Sequence, residues 1–299
     1  AVCNEAVKLA TKKGFSSLKG FVNGVLRNLS RQKEEIGLPD ETKEPVKAFS
    51  VKYSVPEWLV EKVMKDYGNE NAKNMFESLY KNVGATTIRV NNSKISTEEC
   101  AKLLREEGVH VEKAAYVDNA LEISEYDSLM FLETFEKGYF QVQDVSSMLV
   151  GCAANPKPGD QVIDICAAPG GKSIHVADLL NGTGHVEARD LTDYKVNLIW
   201  ENIERSGLKN IEAVRWDATV LDEQSVEKAD VVIADLPCSG LGVLGKKTDL
   251  KYKMTEQTQG ELVKLQQDIL STVKQYVKPG GTLVYSTCTI HEEENTLAS

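Results

Sequence analysis

Along residues 1–33, apolar side chains recur at three and four positions (Val7, Leu18, Phe21, Val22, Val25, Leu26, Leu29). That is the spacing of one helix face, and it predicts helix throughout. GLPDETKEP (37–45) is polar and turn-rich and reads as a linker. Pro56 then precedes a helix that breaks at Gly68, and a second helix follows. TTIRV (86–90) is a β-branched strand. STEECAKLLREEG (96–108) predicts a helix with Ser96 as N-cap, Glu99 completing a capping box and Gly108 as the stop. VHVEKA and ALEIS read as two more strands, which makes this middle region a small α+β unit. From GYFQVQD (138–144) onward the pattern changes. Strand-like QVIDI, HVEAR, IEAVR, DVVIAD and GTLVYST alternate with helical stretches, so a mostly parallel, doubly wound α/β sheet is expected. The expected domains are 1–45, 46–133 and 134–299.

The turn after QVIDI carries the first chemistry: DICAAPGGKSIHVA, Asp164 to Ala177. A phosphate loop of the form G-x-x-x-x-G-K-[ST] would need Gly where Cys166 stands, and Pro169 removes an amide donor from the loop. The dinucleotide pattern G-x-G-x-x-G also fails, because Gly170 and Gly171 are adjacent and stand alone. A strand ending in an acid before a turn of small residues suits S-adenosylmethionine better. That cofactor has no phosphates; it needs close backbone approach, which Ala167, Ala168, Gly170 and Gly171 allow. It also needs acids for its hydroxyls and its ammonium group, and the following strands end in them. Asp190 lies 19 residues after Gly171, at the spacing of a ribose-binding carboxylate; Asp217 could meet the adenine edge; Asp235 ends a third strand.

Two cysteines also follow strands, Cys238 in ADLPCSG and Cys288 in VYSTCTI. Their positions suggest covalent chemistry, because carbon 5 of a pyrimidine becomes nucleophilic once a thiolate has added to carbon 6. Asp235 could then hydrogen-bond the ring nitrogen. Amino-methyltransferases place an Asp/Asn-Pro-Pro-aromatic tetrapeptide at this point. Asp235-Leu236-Pro237-Cys238 lacks the second proline and the aromatic.

With CAAPGGK, D-x-PCSG and YSTCT…EEEN in this order, the chain resembles the RNA cytosine-5 methyltransferases, and more closely the RsmB (Sun/Fmu) family acting on bacterial 16S ribosomal RNA. SVPEWLVEKV, TTIRVN and GYFQVQD resemble that family's smaller RNA-facing domain. SLKGFVNGVLRNLSR resembles the last helix of its NusB-like domain. The resemblance implies a Rossmann-like methyltransferase domain and S-adenosylmethionine as cofactor. It further implies Cys288 as nucleophile, Cys238 in release of the methylated base, and Asp235 on the cytosine ring. Cys166, Ala167, Ala168, Pro169, Gly170, Gly171, Lys172, Asp190, Asp217 and Asp235 would hold the cofactor. Leu236 stands where the family has a small residue, and Thr248 where it often has proline. The chain stops eleven residues past Cys288, and both ends read as truncated.

Composition adds little: 41% apolar and 27% charged residues suit a globular chain of 299 residues. No apolar run is long enough for a spanning helix; the six scattered cysteines include no C-x-x-C pair, which argues against structural zinc, and a disulfide framework is not expected in a chain this large whose first residues show no secretion signal. These features point to a cytoplasmic protein with no metal. A net charge of −10 disfavours nucleic acid, but residues 1–33 hold seven Lys/Arg against Glu5, and GKKTDLKYK (245–253) holds Lys246, Lys247, Lys251 and Lys253. These four lysines are the expected phosphate contacts, with 16S rRNA, naked or in a partial small subunit, as the partner of a monomer. A catalytically idle RNA-binding or assembly module is the alternative; the cysteine pair argues against it.

Overall fold

The computed structural model describes residues 2–32, 37, 39–79 and 85–295. The chain divides into two units, 1–77 and 78–299.

The first unit is helical: α1 (Val2–Lys12), α2 (Lys19–Arg31), α3 (Pro45–Tyr53), α4 (Glu57–Tyr67) and α5 (Asn69–Ser78). The helix expected over 1–33 is therefore two helices. Gly14, at φ +89°, ends α1; its N–H bonds Thr11 O and the Phe15 N–H reaches back to Ala10 O, the pairing of a Schellman cap. Amphipathic spacing continues across the break because both helices are amphipathic. Lys33 lies outside the described residues. The core of this unit is built from Phe49, Tyr53, Leu59, Val60, Val63, Ala72 and Phe76, with the Tyr53 and Phe76 rings stacked at 5.7 Å.

The second unit holds two sheets. The smaller uses β1 (Thr86–Val90), α6 (Thr97–Glu106), β2 (His110–Lys113), β3 (Ala120–Ser124), the single turn α7 (Glu133–Glu136) and β4 (Phe140–Val142), in the antiparallel order β2-β3-β1-β4. Ser96 caps α6 as expected, accepting the Glu99 N–H. β4 pairs with β1 (Arg89 opposite Gln141), so the small sheet runs past the expected boundary at 133/134.

The larger sheet follows α8 (Val145–Ala154): β5 (Gln161–Asp164), α9 (Gly171–Leu179), β6 (His185–Asp190), α10 (Asp193–Ser206), β7 (Ile211–Arg215), β8 (Ala229–Asp235), α11 (Leu250–Lys253), α12 (Glu256–Val273) and β9 (Val277–Ser286). Its order is β7-β6-β5-β8-β9, all parallel. Pleating sends alternate residues to opposite faces. Val162, Val231 and Ile233 pack with Ile174 of α9 and Ile199 of α10, whereas Ile163, Val232 and Ala234 pack with Ile269 and Val273 of α12. Both faces are thus covered, as parallel sheets require. The strand order reverses between β5 and β8, and the crevice outside the carboxyl ends of these two strands is the ligand position of such sheets.

Polar contacts fasten the small sheet to this domain. Arg89, fully buried on β1, donates to Asp178 of α9 at 3.2 Å and to Gln143 at 2.8 Å. Asp178 also accepts the Ser93 N–H at 3.0 Å, and Asn91 donates to Ser206 O at the end of α10.

Candidate active site at the carboxyl ends of the parallel strands

The Gly-rich turn leaves β5 and folds back to start α9. Ala167 N–H bonds Arg189 O, Gly170 N–H bonds Ala167 O, and the Ala168–Pro169 bond is cis. Gly170 has φ +101°, and a Cβ there would come within 3.3 Å of Ile199. Only glycine suits that position. Asp164, ending β5, is wholly buried; Ser173 donates to its Oδ2 at 2.6 Å, while Oδ1 has no partner. Burial raises its carboxyl to about 7, against the bond from Ser173. Cys166, beside it, is pushed up to about 12 by burial and then by Asp164, so it is a protonated, largely inert thiol.

Asp190, at the end of β6, is buried and meets this turn. Its Oδ2 accepts the Ala168 N–H at 3.0 Å, and its Oδ1 accepts Leu191 N–H at 2.7 Å and Lys195 at 3.0 Å. Asp217, past β7, is exposed; Thr219 caps its Oδ1 through N–H and hydroxyl at 2.9 and 2.7 Å, and those bonds lower its pKa. The turn of small residues, the unpartnered Asp164 oxygen and the acids ending successive strands fit a cofactor carrying hydroxyls and an ammonium group but no phosphate. Asp164, absent from the expected set, is the acid that closes QVID.

Lys172, in the first turn of α9, donates to Asp235 Oδ2 at 2.7 Å, and Ser286 at the end of β9 donates to Asp235 Oδ1 at 2.7 Å. Leu236 is buried against the α12 face, its N–H bonded to Ser286 O, so the larger side chain is absorbed by the core. The next turns bring the two cysteines together: Cys238 Sγ and Cys288 Sγ are 3.0 Å apart, and the Cys288 N–H donates to Cys238 Sγ at 3.2 Å. Cys288 is exposed. Its thiol is lowered to about 7 by the hydrogen bond from Cys238. Burial and Asp235 oppose this, and Lys247 and Lys172 assist. Cys238 moves the other way, raised well above the thiol range by its bond to Cys288 and by burial. Of the two sulfurs, Cys288 is thus the one that ionises first, with Cys238 placed to donate to its thiolate.

The lysine loop corrects an expectation. Lys251 is 7% exposed, its Nζ 5.4 Å from the Tyr252 ring centre, and is not presented to solvent as a phosphate contact. Lys246 pairs with Asp144, and Lys253 with Asp249 at 2.7 Å. Lys247 is exposed and has no ion pair among the described residues. Within those residues no group of three or more His, Cys, Asp or Glu could hold a metal, and no helix is long and apolar enough to cross a membrane.

Comparison with known proteins converges on one family. Residues 152–298 match the family described as 16S rRNA methyltransferase RsmB/F, residues 55–128 its ferredoxin-like domain, and residues 1–31 the NusB family. The chain is 38% identical over 298 residues to a probable ribosomal RNA small subunit methyltransferase B of Bacillus subtilis, covering 99% of this chain and 65% of that protein. It is 32% identical over 307 residues to ribosomal RNA small subunit methyltransferase B of Citrobacter koseri, covering 99% and 67%. The chain belongs to the RsmB/F family. It spans about two thirds of these relatives. The crystal structure of NSun6 from Pyrococcus horikoshii with SFG superposes with TM-score 0.75 at 26% identity, covering 81% of this chain and 85% of that one. RsmB/F membership makes the large domain a Rossmann-like methyltransferase fold.

Proposed function

We propose that this chain methylates carbon 5 of a cytosine in 16S ribosomal RNA through a covalent adduct to Cys288, in the cytoplasm. The observation that carries the reading is the sulfur pair, 3.0 Å apart, in which Cys288 is exposed and holds the lowered thiol. A thiol kept for packing alone would be expected buried and protonated, as Cys100 is, raised to about 12.

In this reading the Cys288 thiolate forms a bond to carbon 6 of the ring, and the carbon 5–carbon 6 double-bond electrons move toward carbon 5. As the adduct forms, the ring nitrogen takes up a proton from solvent, and the Asp235 carboxylate, held by Lys172 and Ser286, accepts the new N–H and favours the adduct. S-adenosylmethionine, when bound by the 166–172 turn, Asp164, Asp190 and Asp217, supplies an electrophilic methyl group. Once carbon 5 has been methylated, solvent water takes the carbon 5 proton, the C–H electron pair re-forms the carbon 5–carbon 6 double bond, and the sulfur–carbon bond breaks with its electrons on the Cys288 sulfur. Cys238 assists that release, and Cys288 leaves as thiolate. The target base must be unpaired or flipped to reach the exposed sulfur.

The test is Cys238→Ala with 16S rRNA and S-adenosylmethionine. A protein–RNA adduct through Cys288 should accumulate on a denaturing gel and disappear in the Cys238→Ala/Cys288→Ala double variant. Bisulfite sequencing should then show a protected cytosine in RNA treated with the native protein. No adduct and no protected cytosine, with cofactor binding intact, would leave the idle RNA-binding module as the correct reading.

A further inference from the structure

Glu294 sits in the short turn Glu292–Glu294 after the Cys288 loop, and its side chain is fully buried. No lysine or arginine among the described residues pairs with it. Such a carboxylate is costly unless hydrogen bonds satisfy it. Its Oε2 accepts the Ser239 N–H at 2.8 Å and Gln266 Nε2 at 3.0 Å; its Oε1 accepts the Ser239 hydroxyl at 2.5 Å and lies 3.1 Å from His291 Nδ1. Ser239 Oγ is also 2.7 Å from Thr289 Oγ1, and the second Gln266 bond runs to Pro237 O at 2.8 Å. Ser239 follows Cys238 and Thr289 follows Cys288 in the chain. One carboxylate therefore joins the loop after β8, the loop after β9 and the middle of α12. An apolar side chain would fill the same space without a desolvation cost, but it could not hold two polar loops in register.

We propose that Glu294 is a positioning residue that keeps Cys238 and Cys288 at hydrogen-bonding distance by clamping Ser239 and Thr289. The role concerns the site described above and rests on that reading for its catalytic meaning. Its physical content, the register of two sulfurs, can be measured without RNA. The groups facing Cys288 are Cys238, Asp235, Lys247 and Lys172, and the Cys238 bond contributes most to lowering its thiol. Separation of the loops removes that contribution.

The experiment is alkylation of Cys288 by iodoacetamide across pH, read by mass spectrometry, in the native protein and in Glu294→Ala and Glu294→Gln, with melting temperature recorded for each. The native midpoint is expected near the lowered value of about 7. In Glu294→Ala it should rise by about one unit toward the free-thiol value of about 8.5. Methyl transfer to 16S rRNA should fall roughly 100-fold, the cost of a misplacement of about 1 Å. Glutamine can keep both loops, because its amide oxygen can take the Ser239 N–H and Gln266 bonds and the Ser239 hydroxyl can accept as well as donate, so Glu294→Gln should stay within a few tenths of a unit of native. If Glu294→Ala does not fold, Ser239→Ala, which removes the hydroxyl bridge to Thr289, is read by the same assay and should also rise. A folded Ala variant with an unchanged midpoint, whatever its melting temperature, overturns the proposal. So does a Gln variant that shifts as far as Ala, since charge and not register would then be at work. Absence of methylation in the native protein would sink the catalytic reading alone and leave the alkylation result to decide this one.

Discussion

Lys172 Nζ lies 2.7 Å from Asp235 Oδ2, joining the first turn of α9 to the end of β8 across the point where the strand order reverses. The turn that follows β5 and the residues that precede the cysteine pair are thereby one electrostatic unit. The Lys172 ammonium favours the Cys288 thiolate, and the Asp235 carboxylate opposes it. Lys172→Met leaves that carboxylate without its cation and removes a positive charge from the thiolate. The Cys288 alkylation midpoint should rise, by roughly half a unit or more, and the double variant with Asp235→Asn should move it back toward native. An unchanged midpoint in Lys172→Met would show that the ion pair does not couple to the sulfur.

Asp164 predicts a pH dependence of stability. Its folded carboxyl is raised to about 7 by burial, whereas an unfolded one titrates near about 3.9. A raised acid binds its proton more tightly when folded. The unfolded chain gives up that proton first, so the contribution to stability is whole below about pH 4 and is lost as pH rises through about 7. Asp164→Asn removes the titration and keeps an acceptor for Ser173. It should melt at a higher temperature than native at about pH 8, by the equivalent of roughly 4 kcal/mol at most, with the gap closing toward about pH 4. Cofactor affinity should fall at least ~10-fold, since the unpartnered oxygen, which would accept from the cofactor, is replaced by an amide that can donate instead. A pH-independent difference in melting would refute the assignment.

Gly170 and Gly280 both have positive φ, +101° and +82°, but a Cβ at Gly170 meets Ile199 at 3.3 Å and one at Gly280 meets open space. Gly280→Ala should cost only the backbone strain, about 1 kcal/mol. Gly170→Ala adds the contact and a displaced turn, for about 2–3 kcal/mol and measurable loss of S-adenosylmethionine binding. Equal costs by urea denaturation, with unaltered cofactor binding, would show that the turn tolerates a side chain.

The alternation of strands and helices was readable in large part because its pattern is local. QVID, HVEARD and ADVVIAD are short runs that mark strands by themselves. What could not be read depends on partners far away in the chain. Nothing in GYFQVQD says that Phe140–Val142 would join a strand ending at Val90. Gly14 was visible, but the periodicity of two consecutive amphipathic helices masked it. EEEN marks the end of the Cys288 motif but does not say which glutamate is buried; Glu294 is, and Ser239 and Gln266 supply its donors from elsewhere. Lys251 likewise sits in a run of charge, and only the turn of α11 sends it inward.

That same turn separates the lysines by role. Lys247, exposed and without an ion pair among the described residues, also lowers the Cys288 thiol, which sets its charge on the side where RNA would meet the sulfur. A lysine that neutralises one phosphate contributes about one unit to the slope of log affinity against log salt, somewhat less for a single strand. Lys247→Ala should therefore weaken 16S rRNA binding and flatten that slope by roughly 0.7. Lys251, desolvated and with its pKa lowered by burial, should behave differently: Lys251→Met should leave the slope unchanged and hold or raise the melting temperature, since an apolar chain of similar length fills the space without burying a charge. Filter-binding titrations of both variants over a range of salt concentrations decide the matter. Equal slopes for native protein and Lys247→Ala would remove Lys247 from the RNA interface.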